Sequence, residues 1–223
     1  MNNLEVLYED NHVIVCVKPF NILSQSDATG DIDMLSLIKE YIKKKYNKKG
    51  NVYLGLVHRL DRPVGGVMVF ARTSKSASRL NDAIKNHLFS KKYLAVVHGI
   101  LKKDGKFTDY LLKDEKGNTI VTEKKKGKYS ELSYKVLSVN MQKKLTLVEV
   151  NLVTGRHHQI RVQFASRGSP LYGDKRYGND LDKQISLWAY SLSFLHPTTK
   201  EMKKFICYPP LNSDGFNCFD IKL

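Results

Sequence analysis

Cysteine is scarce in this chain of 223 residues: Cys16, Cys207 and Cys218 are odd in number, and none stands in a C-x-x-C pair. That excludes a disulfide framework or a zinc ribbon and leaves reduced thiols with structural roles. Long apolar runs are missing too. No segment approaches the roughly 20 apolar residues of a spanning helix, and no lipidation box is visible. The opening MNNLEVLYEDNH has acidic residues and no apolar stretch behind a basic start, so it does not read as a secretory signal. A cytoplasmic location is expected. His and Cys do not recur at ligand-like spacings, the one tight cluster being the neighbours His157 and His158. No metal is therefore expected.

Acid is also in deficit. Lys and Arg number 37 against 22 Asp and Glu, a formal net charge of +15. Charge of that size speaks to partners more than to fold, and nucleic acid leads over an anionic membrane surface. An apolar fraction of 42% supports a real core and excludes a disordered chain. No internal repeat and no Pro/Gly/Ser-rich linker divides the sequence, so one domain over residues 1–223 is expected.

Hydrophobic periodicity reads mostly as strand. LEVLYED and HVIVCVKP alternate or run apolar with β-branched residues. DIDMLSLIKEYIKKKYNKKG is an amphipathic helix with Met34, Leu37, Ile38, Tyr41 and Ile42 on one face and lysines at its end; for those lysines a solvated face is a simpler reading than RNA contact. GGVMVFART reads as a buried strand, SKSASRLNDAIKNHLF as a helix capped by Thr73 or Ser74, and KKYLAVVHG as a strand closed by Gly99. Residues 105–129 look like an exposed hairpin region. SELSYKVLSVN and KLTLVEVNLV should pair as neighbours. GRHHQIRVQFASRG switches to helical period, with Ile160, Phe164 and Ala165 inward and Gly168 as its stop. SLWAYSLSFLHP and MKKFICYPP return to strand. The sum is a strand-dominated α+β fold carrying a few helices.

Three places can carry chemistry. In LVHRLDRP, Asp61 stands between Arg59 and Arg62; Pro63 biases Arg62 away from helix, and Gly65 and Gly66 let the backbone bend or a ligand approach. A carboxylate kept ionised by a guanidinium can act as nucleophile or base, yet on spacing alone an exposed ion pair is the more economical reading. In TGRHHQIRVQFASRG, Arg156, Arg161 and Arg167 lie along the expected helix, with Arg161 sharing a face with His157 and Phe164. A half-buried arginine there needs an anion; Asp61 is one partner, an RNA phosphate another. Tyr93, behind two lysines, suits stacking on an unpaired base, although a tyrosine opening a strand is more often core.

Taken in order, HRLDRPVGGVMVFART, KKYLAVVHG, TGRHHQIRVQFASRGSPLYGDKRYG and LHP resemble the motif series of the RluA-type pseudouridine synthases, and VIVCVKPFNIL resembles that family's first strand and Lys-Pro turn. The likeness runs from residue 12 to about 197. It implies the catalytic fold of that family, a mixed, mainly antiparallel bent β-sheet with flanking helices. It also implies isomerisation of uridine to pseudouridine in structured RNA, without cofactor. By the same likeness Asp61 is the essential catalytic residue, and Arg59 helps flip the target nucleotide and fills its place. Tyr93 stacks near the uracil and handles the C5 proton, and Arg161 forms the ion pair with the catalytic carboxylate. Arg62, Arg156 and His157 are the remaining RNA-binding candidates. The chain departs from the family at Val64-Gly65-Gly66, where T-S-G or V-S-G is usual, losing a hydroxyl and adding flexibility.

The family's opening strand begins within the first dozen residues, so no appended S4 domain is expected and substrate choice falls to the catalytic domain itself. Transfer RNA is slightly favoured over large-subunit ribosomal RNA, and a monomer is expected. Two other readings compete. One is a non-catalytic basic RNA-binding protein on the same fold. The other is a metal-independent ribonuclease using His157, His158 and a lysine as acid and base, disfavoured because neighbours on a helix point about 100° apart.

Overall fold

A computed structural model describes residues 4–178 and 180–221 and shows an α+β fold with a mainly antiparallel sheet. The chain forms two compact units: Met1–Ser90 with Ala189–Cys207, and Lys91–Trp188 with Tyr208–Leu223.

In the first unit, β1 (Glu5–Glu9) pairs antiparallel with β2 (Val13–Lys18), and β2 with β4 (Gly65–Ala71). Both β2 and β4 are buried along their whole length, which explains why neither alternates. The short β3 (Gly55–Leu56) also pairs with β4. β10 (Leu187–Leu195) neighbours β4 and forms a hairpin with β11 (Met202–Ile206). Val13, Val15, Val67, Val69, Leu80, Phe89 and Phe194 build one apolar cluster on this sheet.

Two helices complete the unit. α1 (Met34–Lys45) starts where the Asp33 carboxylate accepts from the Ser36 N–H at 3.1 Å, and it buries Met34, Ile38 and Ile42 at helical spacing. Its last turn holds Lys43, Lys44 and Lys45 at the negative end of the dipole. α2 (Ser74–Lys85) is capped by Thr73. The expected extension of α2 to Phe89 does not occur. His87 turns left-handed at φ 56°, freeing Phe89 to start the next strand and join the core.

Gly65 and Gly66 do not loosen the Asp61 loop, contrary to expectation; both are buried in β4. Gly66 has φ +127°, and a Cβ there would come within 2.3 Å of the Ala189 carbonyl oxygen. Its role is close strand approach. Gly66→Ala is expected to destabilise by more than about 1 kcal/mol, seen as a lower urea midpoint with an unchanged m-value.

In the second unit, β5 (Phe89–His98), β9 (Leu145–Leu152), β8 (Lys128–Asn140), β6 (Gly105–Lys113) and β7 (Thr119–Thr122) form successive antiparallel ladders. The loose lysine-rich region is thus the β6–β7 hairpin with the start of β8. α3 is short, Gln159–Ala165, and packs Phe164 edge-on against Phe107 of β6 at 5.0 Å between ring centroids. His158, immediately before it, is left-handed at φ 50°. Arg156, His157 and Arg167 therefore lie outside the helix expected to carry them, and His157 shares no helical face with Arg161.

Candidate active site

The loop carrying Asp61 is fastened from below at alternate residues. The His58 ring, buried, accepts from the Val69 N–H through Nε2 at 3.1 Å. At Leu60 the Ser24 hydroxyl satisfies both backbone groups, donating to the carbonyl at 2.8 Å and accepting from the N–H at 3.1 Å. A turn then closes as the Val64 N–H donates to the Asp61 carbonyl at 3.0 Å. His58 and Leu60 point inward, Arg59 is exposed and Asp61 is partly exposed. This strand-like alternation presents Arg59 and Asp61 on the open side. Arg62 makes an exposed ion pair with Asp31 at 2.8 Å, a contact of small energetic weight.

Beneath the loop lies Lys18, the last residue of β2, fully buried. Its ammonium donates to the carbonyls of Pro19 at 3.1 Å, Arg62 at 3.0 Å and Val64 at 2.7 Å. Its pKa is pulled down to about 7, chiefly by burial, with the charge of Asp61 opposing the shift and that of Arg62 adding to it.

In the second unit, Tyr93 is buried on β5, opposite Val150 of β9. Arg161, also buried, makes a two-pronged ion pair with Asp174: Nε to Oδ2 at 2.8 Å and an NH2 to Oδ1 at 2.7 Å. The Tyr177 ring lies 5.2 Å from the guanidinium. Burial alone would push the Asp174 carboxyl up, but the hydrogen bonds and charge of Arg161, with the N–H groups of Arg176 and Tyr177, hold it below its ordinary value. A planar fork on a carboxylate fixes the guanidinium in position and orientation.

At the start of α3, Gln159 ties the preceding loop to β8. Its Oε1 accepts from Thr154 Oγ1 and the Arg156 N–H, and its Nε2 donates to the Glu131 carbonyl. Arg156 donates through Nε to the Tyr129 carbonyl at 3.0 Å. The rings of His157 and His158 stack at 3.7 Å rather than diverging, because His158 is left-handed and not helical. Each engages a different partner: His157 Nδ1 with Thr119 Oγ1, His158 Nδ1 with the Tyr177 hydroxyl, both at 2.8 Å. Stacked rings joined to β7 and to the 170s turn form a fixed edge on this surface. Among the described residues, no group of three or more His, Cys, Asp or Glu is disposed to hold a metal, and no helix is long and apolar enough to cross a membrane.

Comparison with known proteins follows the same residues. The chain matches the RNA pseudouridylate synthase family over residues 12–166. It is 32% identical over 203 residues to YhcT of Bacillus subtilis, a protein named as an uncharacterized RNA pseudouridine synthase; the match covers 89% of this chain and 66% of that one. It is 33% identical over 228 residues to ribosomal large subunit pseudouridine synthase C of Buchnera aphidicola, covering 95% and 68%. The chain thus spans about two thirds of the length of these relatives. Among solved structures, human RNA pseudouridylate synthase domain containing 4 superposes with a TM-score of 0.77 at 21% identity, covering 96% of this chain and 90% of that one, a likeness of fold. The fold and the ordered motifs define an RNA pseudouridine synthase, and the chain belongs to the RNA pseudouridylate synthase family.

Sequence reading missed Lys18, Ser24 and Asp174 as parts of this machinery. Lys18 was signalled by a lysine closing an otherwise apolar strand, and Asp174 by Arg161's need for an anion, for which Asp61 and RNA alone were considered. Nothing local marks Ser24, whose partner lies 36 residues away.

Proposed function

We propose that this protein converts uridine to pseudouridine in structured RNA, with Asp61 as the reacting carboxylate. The reaction breaks the C1′–N1 bond, turns the base, forms the C1′–C5 bond, moves the C5 proton off and protonates N1. No group is gained or lost, so no cofactor is needed. Asp61 either adds to C1′ or removes a ribose proton to give a glycal. Arg59 occupies the space of the everted nucleotide, and unstacking costs a few kcal/mol, least in a loop or bulge. Arg161 is the cation that pairs with the reacting carboxylate, and Tyr93 or Asp61 takes the C5 proton. Arg62, Arg156 and His157 bind the RNA around the target. One catalytic domain, acting as a monomer in the cytoplasm, comprises both units.

The observation that carries this reading is the fastening of the Asp61 loop at His58, Leu60 and Val64, which holds the carboxylate on the open side of the first unit. Large-subunit ribosomal RNA is the favoured substrate, because relatives at 33% and 34% identity are named for it; transfer RNA is the second choice. The test is chemical mapping of pseudouridine in both RNAs from cells with and without the gene. Loss of one or more sites in large-subunit RNA alone is expected, and loss confined to transfer RNA would reverse the assignment. Purified protein should bind its RNA with an affinity that falls steeply with salt as counterions are released.

A further inference from the structure

One end of the first unit carries more positive charge than its folding explains. Residues 39–53 hold six lysines against one acid, Glu40, which Lys44 already pairs at 2.7 Å. The Glu9 carboxylate, on β1, is buried and taken up by Tyr41, Lys45, Tyr46 and Arg72 at 2.6–3.0 Å. Lys43, Lys48 and Lys49 are exposed and make no ion pair among the described residues. Lysines alone fit a solvated face, but two tyrosines stand among them, Tyr46 at 45% exposure and Tyr53 at 50%. Tyr46 is held in place: its hydroxyl donates to Glu9 at 2.9 Å, and its ring centroid lies 5.1 Å from the Arg72 guanidinium. Tyr53 has no aromatic neighbour and no partner for its hydroxyl among the described residues. Register brings the two together. Gly55 of β3 pairs with Ala71, the last residue of β4, so Tyr53 approaches just beyond that end, and Arg72, against which Tyr46 lies, is the next residue. The Asp61 turn joins β4 at its other end, and seven residues of strand span about 20 Å.

We propose that this face, built from the last turn of α1, the lead-in to β3 and the end of β4, is a second docking surface for the RNA substrate, taking an unpaired segment that flanks the target. Tyr53 stacks on a base, Tyr46 is the neighbouring platform, and Lys43, Lys48 and Lys49 meet the phosphates. This deepens the reading of the protein as a pseudouridine synthase and rests on it. Stacking accepts any base, so the face adds affinity and orientation rather than sequence readout. An acidic protein would meet the same lysines, but exposed rings set among cations match the faces of unpaired bases. With the flanking segment held about 20 Å from the Asp61 turn, engagement of the target uridine becomes an intramolecular step at raised effective concentration.

The test separates binding from chemistry. The probes are unmodified transcripts of large-subunit ribosomal RNA and of transfer RNA with tritium at uridine C5, measured by filter binding and then by single-turnover release. On the transcript that releases tritium, Tyr53→Ala should bind about tenfold more weakly, whereas Tyr53→Phe, which keeps the ring, should bind as the wild type does. The double variant Lys48→Ala, Lys49→Ala should also bind more weakly. Its log affinity should fall less steeply with log salt, the slope shrinking by about 1.4 for two single-strand phosphate contacts. At saturating protein every variant should release tritium at the wild-type rate, since the Asp61 loop is untouched. Unchanged RNA affinity in Tyr53→Ala overturns the proposal, and so does a lower saturating rate at unchanged affinity. A double lysine variant that loses binding to phosphatidylglycerol vesicles while keeping its RNA affinity would assign the face to a membrane surface and overturn it too. If the wild type releases tritium from neither transcript, the pseudouridine reading falls, while filter binding of Tyr53→Ala to both still decides whether this face holds RNA.

Discussion

Asp61→Asn should abolish pseudouridine formation, with a fall in single-turnover rate of about 10⁴-fold or more, the scale seen when a reacting group of a hydrolase is removed. The amide preserves shape and can still accept a hydrogen bond, but it neither attacks a sugar carbon nor takes a proton. Fold and binding should survive. The loop is held through the His58 ring, the Ser24 hydroxyl and the Lys18 ammonium, none of which the substitution alters. RNA affinity comes chiefly from the excess of 37 Lys and Arg over 22 Asp and Glu, and removing one carboxylate leaves it unchanged or slightly tighter. Filter binding and single-turnover kinetics on the same preparation separate the two quantities. A matching loss of binding would mean that Asp61 organises the surface instead of reacting on it.

Asp174→Asn has the second large effect, on stability. Asp174 is fully buried and takes both prongs of the Arg161 guanidinium, which is itself buried. Removing the charge on one side breaks a buried, two-pronged ion pair, a change that costs about 3–5 kcal/mol. For a chain of this size that lowers the melting temperature by about 10 °C. The pH dependence has a definite sign. The folded-state pKa of Asp174 lies below its unfolded value, so its contribution to stability is complete above about pH 4 and disappears as pH falls through the folded-state pKa. Wild type and Asp174→Asn should therefore differ most near neutrality and converge in acid. Calorimetry across about pH 2.5–7, a range bracketing the ordinary carboxylate pKa of about 3.9, reads this directly. A constant difference across that range would show that packing, not charge, is what the substitution removes.

Much of the architecture was legible because its signals are local. The apolar runs of β2 and β4, the alternation of β8 and β9, and the Asp33 and Thr73 caps each follow from residues within a few positions of one another. The limits of α3 were not, since only a left-handed residue at His158 shortens it, and that conformation answers to the contacts of His157 with Thr119 and His158 with Tyr177. Asp174 and Lys18 were hidden for the same reason. Each matters through a partner brought close by tertiary folding, Arg161 in one case and the carbonyls of residues 62 and 64 in the other. The Val64-Gly65-Gly66 departure changed meaning altogether: a sequence of two glycines suggests a hinge, whereas the Ala189 backbone pressed against Gly66 makes it a packing requirement.

The most direct measurement is tritium release from RNA labelled at uridine C5, because that proton leaves only when C5 becomes the glycosidic carbon. The wild-type protein should release tritium from its structured RNA without added metal or cofactor, and Asp61→Asn should release none. Folded wild-type protein that binds such RNA and leaves every label in place, or an Asp61→Asn variant that releases it at the wild-type rate, would contradict the account.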